Sequence, residues 1–225
     1  MTDLTLRPVK LISILTLLVG VAPLDAHTNP YPRWDQVDLS PTRIEVKVGW
    51  DLDPGQASRE VRQRYDLDHD GFLSDPERDA LRAWMGEAAA RWLQIAADGK
   101  ILPLHRDKIE VRPLDVPVDS NRPLGVIVDL SAPLPLSLTS LTLTDQHPGR
   151  TFPVMLSLVD KTTRTLTTCL RARGSLLDPP PPTAVSAGQW NQATRQLTHV
   201  ALEPGEVLWM QWSGGDPPAI KLQPR

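Results

Sequence analysis

The chain has 225 residues, a formal net charge of −3 and one cysteine, Cys169. A near-neutral chain without a basic patch argues against nucleic acid as a partner, and a single cysteine excludes an intrachain disulfide, so stability depends on a hydrophobic core. The 23 prolines disfavour long helices and favour short strands joined by stiff turns.

The first residues have the organisation of a secretory signal peptide. Arg7 and Lys10 precede an apolar stretch, which is followed by Ala26 at a cleavage site. That stretch, about 14 residues long, is too short to span a bilayer. We therefore expect residues 1–26 to be removed and the mature chain, starting at His27, to be a soluble periplasmic or secreted protein without a membrane span.

Alternating apolar and polar residues predict antiparallel β-structure for most of the mature chain. A first hairpin is expected to join residues 37–39 to residues 43–50. Asp98-Gly99, a strong hairpin signal, is expected to join residues 93–97 to residues 100–104. Further strands are predicted at Lys108–Leu114, Leu124–Leu130, Ser140–Thr144, Phe152–Val159, Thr165–Arg171, Gln196–Leu202 and Val207–Trp212.

Two helices are predicted between the first hairpin and residue 93. The first spans Gln56–Tyr65, and the second ends near Trp92. Apolar residues at three- and four-residue spacing define the buried face of the second helix. These residues are Leu81, Trp84, Met85, Ala88 and Trp92.

These elements predict an α+β protein. We expect a mostly antiparallel β-sandwich over residues 27–177, with one helix–loop–helix inserted at about residues 55–92. The proline-rich residues 178–183 are predicted to form a stiff spacer. Residues 184–225 are expected to form a C-terminal β-hairpin segment that packs on the sandwich.

The loop between the two helices has oxygen-bearing side chains at a spacing suited to a hard cation. Calcium binds six to eight oxygens, and acidic residues at alternate positions of a tightly curled backbone converge on one point. Asp66, Asp68 and Asp70 lie at these alternate positions, Gly71 permits the tight turn, and Glu77 ends the segment.

This spacing resembles the calcium loop of the EF-hand family over the residues from Asp66 to Glu77. The resemblance implies that Ca²⁺ is bound by the three aspartates and, through both carboxylate oxygens, by Glu77. It also implies that Phe72 supplies its backbone carbonyl and that Ser74 ligates directly or through a water molecule. The inserted helix–loop–helix is accordingly predicted to be an EF-hand.

The loop also permits other interpretations. Ser74 and Glu77 form a capping box for the second helix, and a solvated acidic turn without metal has a similar composition. No second loop has EF-hand spacing, which predicts one weak site, about 10⁻⁴–10⁻³ M, in which calcium is structural. Pairing of two loops in a homodimer and a calcium-sensing role remain alternatives.

A weaker similarity extends over more of the chain. His27, residues 66–77 and residues 93–102 resemble the extracytoplasmic domain of HupE-type nickel/cobalt permeases. This implies an alternative function as an accessory protein that handles nickel, cobalt or copper beside a membrane permease. A terminal amine with the His27 imidazole would chelate such a metal, together with a second histidine such as His105, His147 or His199.

Catalytic motifs are absent from the sequence: it has no nucleophile motif, no phosphate-binding glycine loop and no zinc-type cysteine pair. The sequence therefore predicts a calcium-binding or interaction module rather than an enzyme. Another exported protein is the alternative partner to a permease.

Overall fold

The computed structural model describes residues 33–146 and 153–213. The predicted signal peptide, its cleavage site, His27 and His147 lie outside the described residues. The elements, in chain order, are β1 (Arg33–Leu39), β2 (Arg43–Leu52), α1 (Gln56–Tyr65), α2 (Asp75–Trp92), β3 (Leu93–Ala97), β4 (Lys100–Ile101), β5 (His105–Arg112), β6 (Leu124–Pro133), β7 (Ser140–Asp145), β8 (Val154–Asp160), β9 (Thr165–Arg173), β10 (Val185–Ser186), β11 (Trp190–Asn191), β12 (Gln196–Leu202) and β13 (Glu206–Ser213).

The strands form two sheets. Sheet A has the order β11-β12-β8-β1-β2-β6-β5, and sheet B has the order β10-β9-β13-β7-β3-β4. Strand pairs are antiparallel except β1 and β8, which are parallel. The structure is thus mostly β with two helices, consistent with the predicted α+β sandwich-like fold. No described helix is long and apolar enough to cross a membrane.

The two predicted N-terminal hairpins are confirmed. β1 and β2 pair from Arg33↔Trp50 to Leu39↔Ile44. β3 and β4 pair around Asp98 and Gly99, whose φ angles are both positive, at 47° and 74°. This is the backbone conformation that a two-residue hairpin turn requires.

The predicted C-terminal hairpin is wrong. β12 lies in sheet A beside β8, whereas β13 is a central strand of sheet B between β9 and β7. The chain crosses between the sheets at residues 203–205 instead of folding one strand onto the other. Alternation predicts each strand but cannot distinguish a hairpin from such a crossover, because both need the same turn residues. The sandwich therefore extends to residue 213.

The proline-rich residues are not a free spacer between domains. Asp178 accepts a hydrogen bond at its carbonyl from Trp209 Nε1 (2.9 Å), and the Leu176 carbonyl accepts one from Thr142 Oγ1 (2.8 Å). Leu176 is buried with Trp209 in a small apolar cluster on the outer face of sheet B. Residues 174–184 therefore form a strap over this sheet.

One main core fills the space between the sheets and includes the buried face of α2. Leu81, Met85 and Ala89 of α2 are at most 1% exposed. Trp84, predicted to be on the same buried face, is 41% exposed and stacks on Tyr65 at 6.1 Å between ring centroids. The predicted buried face of α2 therefore includes one residue, Trp84, that is exposed.

A buried ion pair joins the two sheets. Arg33 of β1 pairs with Asp145 of β7. Its guanidinium lies 5.4 Å from the ring centroids of both Trp50 and Trp92. Cation–π contact is strengthened where the cation is desolvated, so this cluster fastens the C-terminal end of α2 to both layers.

Candidate metal centre

The acidic loop connects the end of α1 to the start of α2. Ser74 is the N-cap of α2, and the capping box with Glu77 is complete: the Ser74 side chain accepts from the backbone at Glu77, and Glu77 accepts from the backbone of Ser74. Pro76 occupies the first turn, where the missing N–H costs no helical hydrogen bond. The predicted helix start is therefore confirmed.

The three predicted aspartate ligands converge. Asp66, Asp68 and Asp70 each place one carboxylate oxygen so that all three atoms lie within 4.8 Å of one another. Asp66 is 5% exposed, whereas the other two are exposed. At this separation the three oxygens are close enough to share one cation, and without a cation their charges repel one another.

Hydrogen bonds within the loop hold these side chains in position. Asp68 Oδ1 accepts from Asp70 N (3.2 Å), and Asp70 Oδ1 accepts from Phe72 N (2.8 Å). Asp66 Oδ2 accepts from Gly71 N (3.2 Å). The backbone therefore curls around the side chains, leaving the second oxygen of each aspartate for another partner.

The buried oxygen of Asp66 is the most informative atom of the loop. Asp66 Oδ1 is buried and has no hydrogen-bond partner in the described part of the chain. Burying an unpartnered carboxylate oxygen costs free energy. A hard cation at this point supplies the missing partner, and oxygen donors are the ligands that Ca²⁺ prefers. The residues present thus fit a calcium ion.

Gly71 provides the turn that brings the aspartates together. Its φ is +88°, a conformation that side-chain-bearing residues rarely adopt. His69 also has a positive φ, 59°. It lies within the loop and not in a cluster of histidines, which argues against a separate metal-binding role for it.

Glu77, the predicted closing ligand, is engaged by the loop itself. Its Oε1 accepts from Leu67 N (2.6 Å), and its Oε2 accepts from Ser74 N and Ser74 Oγ, both at 2.8 Å. The bond from Ser74 Oγ, followed by those from the backbone, lowers the pKa of Glu77 below its ordinary range. Glu77 therefore holds the two ends of the loop together in its ionised form.

Phe72 and Ser74, two further predicted contributors to the site, lie between Asp70 and Glu77. The Phe72 side chain is 50% exposed, as expected for a residue whose predicted contribution is a backbone carbonyl. Ser74 Oγ donates to Glu77 and accepts from the backbone at Glu77, so its hydroxyl oxygen keeps one lone pair for a cation or a bridging water.

The loop is anchored to the sandwich at two points. Leu73 is 1% exposed and belongs to the main core. The Gly71 carbonyl accepts a hydrogen bond from Val118 N (2.9 Å) in the β5–β6 connection. The loop is therefore held to the sandwich by one apolar side chain and one backbone hydrogen bond.

The helix before the loop, α1, contains a buried arginine that the sequence did not predict. Arg62 of α1 is fully buried, and its guanidinium donates to the carbonyls of Ser120 (3.3 Å), Arg122 (3.1 Å) and Pro113 (3.4 Å). Burial lowers the pKa of Arg62. The only signal in the sequence is an arginine at a helix position beside apolar residues, which is common on solvated faces.

The histidines of the alternative site are not brought together in the described part of the structure. His105 is on the edge strand β5 with its side chain 82% exposed, and His199 is on β12. Five inter-strand spacings of sheet A separate β5 from β12, or roughly 24 Å at about 4.8 Å each. These two side chains therefore cannot share a metal ion.

The chain matches no protein-family model and, at a significant level, no curated protein. The likeness to EF-hands is therefore a resemblance of the sequence from Asp66 to Glu77 alone.

Proposed function

We propose that the protein is an exported calcium-binding protein with one EF-hand-like site at residues 66–77, in which calcium is chiefly structural. The observation that carries the proposal is Asp66 Oδ1, a buried carboxylate oxygen without a partner in the described chain, beside two further carboxylates. The proposed ligands are Asp66, Asp68, Asp70, the Phe72 carbonyl, Ser74 and Glu77.

A structural role for calcium is supported by where the loop is attached. Leu73 is in the core, and the Gly71 carbonyl is bonded to the β5–β6 connection. The apolar face of α2 is already packed on the sandwich, at Leu81 and Met85. A helix fixed in this way has no groove to open, so we propose that the ion stabilises the fold and that the sandwich acts as the binding or interaction module.

Calcium titration of the purified chain tests the proposal. We expect one bound Ca²⁺ per chain by isothermal titration calorimetry, with a weaker response to Mg²⁺. The Asp70→Asn variant should bind calcium at least tenfold more weakly, because a charged ligand is removed. Its asparagine oxygen can still accept the hydrogen bond from Phe72 N. N-terminal sequencing of the exported chain tests cleavage after Ala26.

Asp79→Asn is the matched control, because Asp79 lies outside the loop and pairs with Arg82 on the exposed face of α2. It should bind calcium as the wild type does. Absence of calcium binding at millimolar concentration, or equal losses in the two variants, would refute the proposed site.

The alternative function, transition-metal handling beside a permease, would need His27 together with one other histidine. His105 and His199 lie on well-separated strands of sheet A, so only one of them could join His27 at a single metal ion. Tight nickel or copper binding that is lost in His27→Ala would support this alternative.

A further inference from the structure

The outer face of sheet A carries a groove whose construction is independent of the calcium loop. Side chains alternate between the two faces of a strand. Val46 and Val48 of β2 and Val126 and Val128 of β6 point into the core. The residues between them therefore form the outer face, together with the matching positions of β1 and β5.

Two glycines let neighbouring side chains lie close to the sheet at this groove: the Trp34 indole covers Gly49, and Gly125 lines the hollow. Gly49 lies opposite Trp34 of β1 and opposite Ile127 of β6. A Cβ at residue 49 would overlap the indole of Trp34, and a Cβ at Gly125 would lie 2.7 Å from Asp51 Oδ1. The absence of both Cβ atoms lets the indole and the Asp51 carboxylate approach the sheet.

The walls of the groove are aromatic on one side and polar on the other. Trp34, partly exposed, forms one wall, and the ion pair of Glu110 with Arg112 (2.7 Å) forms the opposite wall on β5. The Asp51 carboxylate lies at one end, without a side-chain hydrogen bond or ion pair to the described residues, and partial burial raises its pKa. The hollow between these residues has a volume of 250 Å³.

A second hollow of 320 Å³ lies next to the first along the same face. Gln36 is two residues beyond Trp34, Lys47 two before Gly49, and Asp129 two beyond Ile127, and β1, β2, β5 and β6 all contribute residues to both hollows. Each hollow is near the lower end of ligand-pocket volumes, about 300–1,000 Å³. Together they form a track suited to a chain of small units.

We propose that this track binds a saccharide chain, with one pyranose ring against Trp34. The indole face carries negative charge density, which attracts the partly positive C–H groups of a sugar ring. The remaining walls contain carboxylates, amines and an amide, which match hydroxyl groups because each hydroxyl both donates and accepts.

The charges favour a sugar over a peptide. Most acidic groups of the track are paired with basic groups, as in Lys47–Asp129 and Arg43–Asp107, so neither sign predominates. The track also crosses the face of a sheet whose backbone groups are bonded to neighbouring strands, so an extended peptide cannot add there as a further strand.

Affinity electrophoresis tests the proposal. Native gels are cast with hydroxyethylcellulose, xylan, glucomannan or alginate, and retardation of the full chain is compared with a gel without polysaccharide. We expect retardation in at least one gel, and a loss of affinity of at least tenfold in Trp34→Ala. The matched control is Trp84→Ala, an exposed tryptophan on α2, which should bind as the wild type does.

Urea unfolding shows whether Trp34→Ala is folded. If it is not, Arg112→Ala provides the second variant, because that side chain is 78% exposed, and it should weaken binding severalfold. No retardation in any gel, or equal loss in both tryptophan variants, would overturn the proposal. Binding of poly-lysine that is lost in Trp34→Ala would instead identify a site for cationic peptides and overturn the saccharide assignment.

Discussion

Replacing Asp66 by asparagine should stabilise the chain without calcium and reduce the stability that calcium adds. The asparagine carbonyl can still accept from Gly71 N, as Asp66 Oδ2 does at 3.2 Å. The substitution removes one negative charge from three carboxylates whose oxygens lie within 4.8 Å of one another. It also replaces the buried, unpartnered oxygen by an amide nitrogen that can donate to the remaining carboxylates.

The magnitude follows from these distances. Two charges 4.8 Å apart repel by about 0.9 kcal/mol even in water, so losing two such repulsions stabilises the metal-free chain by about 2 kcal/mol. Calcium at 100 times its dissociation constant adds about 2.7 kcal/mol to the wild type. In Asp66→Asn a tenfold or greater loss of affinity should reduce this increment to about 1.4 kcal/mol or less, because a charged ligand is lost.

Thermal and urea unfolding in chelator, and in calcium at about 100 times the dissociation constant of the wild type, measure both quantities. For a chain of this size 1 kcal/mol corresponds to about 2–4 °C in melting temperature. Asp79→Asn, which removes an exposed ion pair, should change stability by less than about 1 kcal/mol in either buffer. If Asp66→Asn destabilises the chain in chelator, or keeps the full calcium increment, the reasoning about Asp66 Oδ1 is wrong.

Three further predictions concern stability and reactivity. Hydrogen bonds led by that from Ser74 Oγ hold the pKa of Glu77 below its ordinary value, so the ionised carboxylate stabilises the fold above the pKa of the unfolded chain, and this contribution is lost as the pH falls through the folded pKa. In Glu77→Gln the free energy of unfolding, measured in urea, should therefore fall less between about pH 5 and 3. Cys169, whose pKa burial raises to about 12, should resist iodoacetamide at pH 8 until the chain is unfolded; rapid labelling of native protein would contradict this. Arg62→Met should cost about 3 kcal/mol, because three carbonyls lose a charged donor, whereas the exposed Arg64→Met should cost little; equal urea midpoints would contradict it.

Most individual strands are predictable from the sequence because alternation is a local property. β6 and β8, for example, begin and end within about three residues of their predicted bounds. Their partners are not predictable in the same way. The parallel pairing of β1 with β8 joins residues more than 100 positions apart, and no local pattern distinguishes it from an antiparallel alternative.

The strap over sheet B also depends on contacts between distant residues that no local sequence pattern reveals. Four successive prolines predict a stiff segment, and composition favours a connector between domains. The structure instead bonds Asp178 and Leu176 to side chains of sheet B. Trp209, which donates one of these bonds, is a buried strand residue, and nothing in its sequence neighbourhood indicates that its indole faces a loop.

The proposed calcium ligands and the contacts that hold their loop in place also differ in how far they can be predicted from the sequence. The carboxylates are predictable because all of them occur in one short segment with a spacing that coordination chemistry requires. The groups that hold this segment still are distant in sequence: Val118 bonds Gly71, and Arg62 fastens α1 to the β5–β6 connection. Since a rigid loop loses less conformational freedom on binding an ion, we expect these distant contacts to raise the calcium affinity of the proposed site. A peptide of residues 56–92 alone would contain every proposed ligand and should bind calcium more weakly than the full chain.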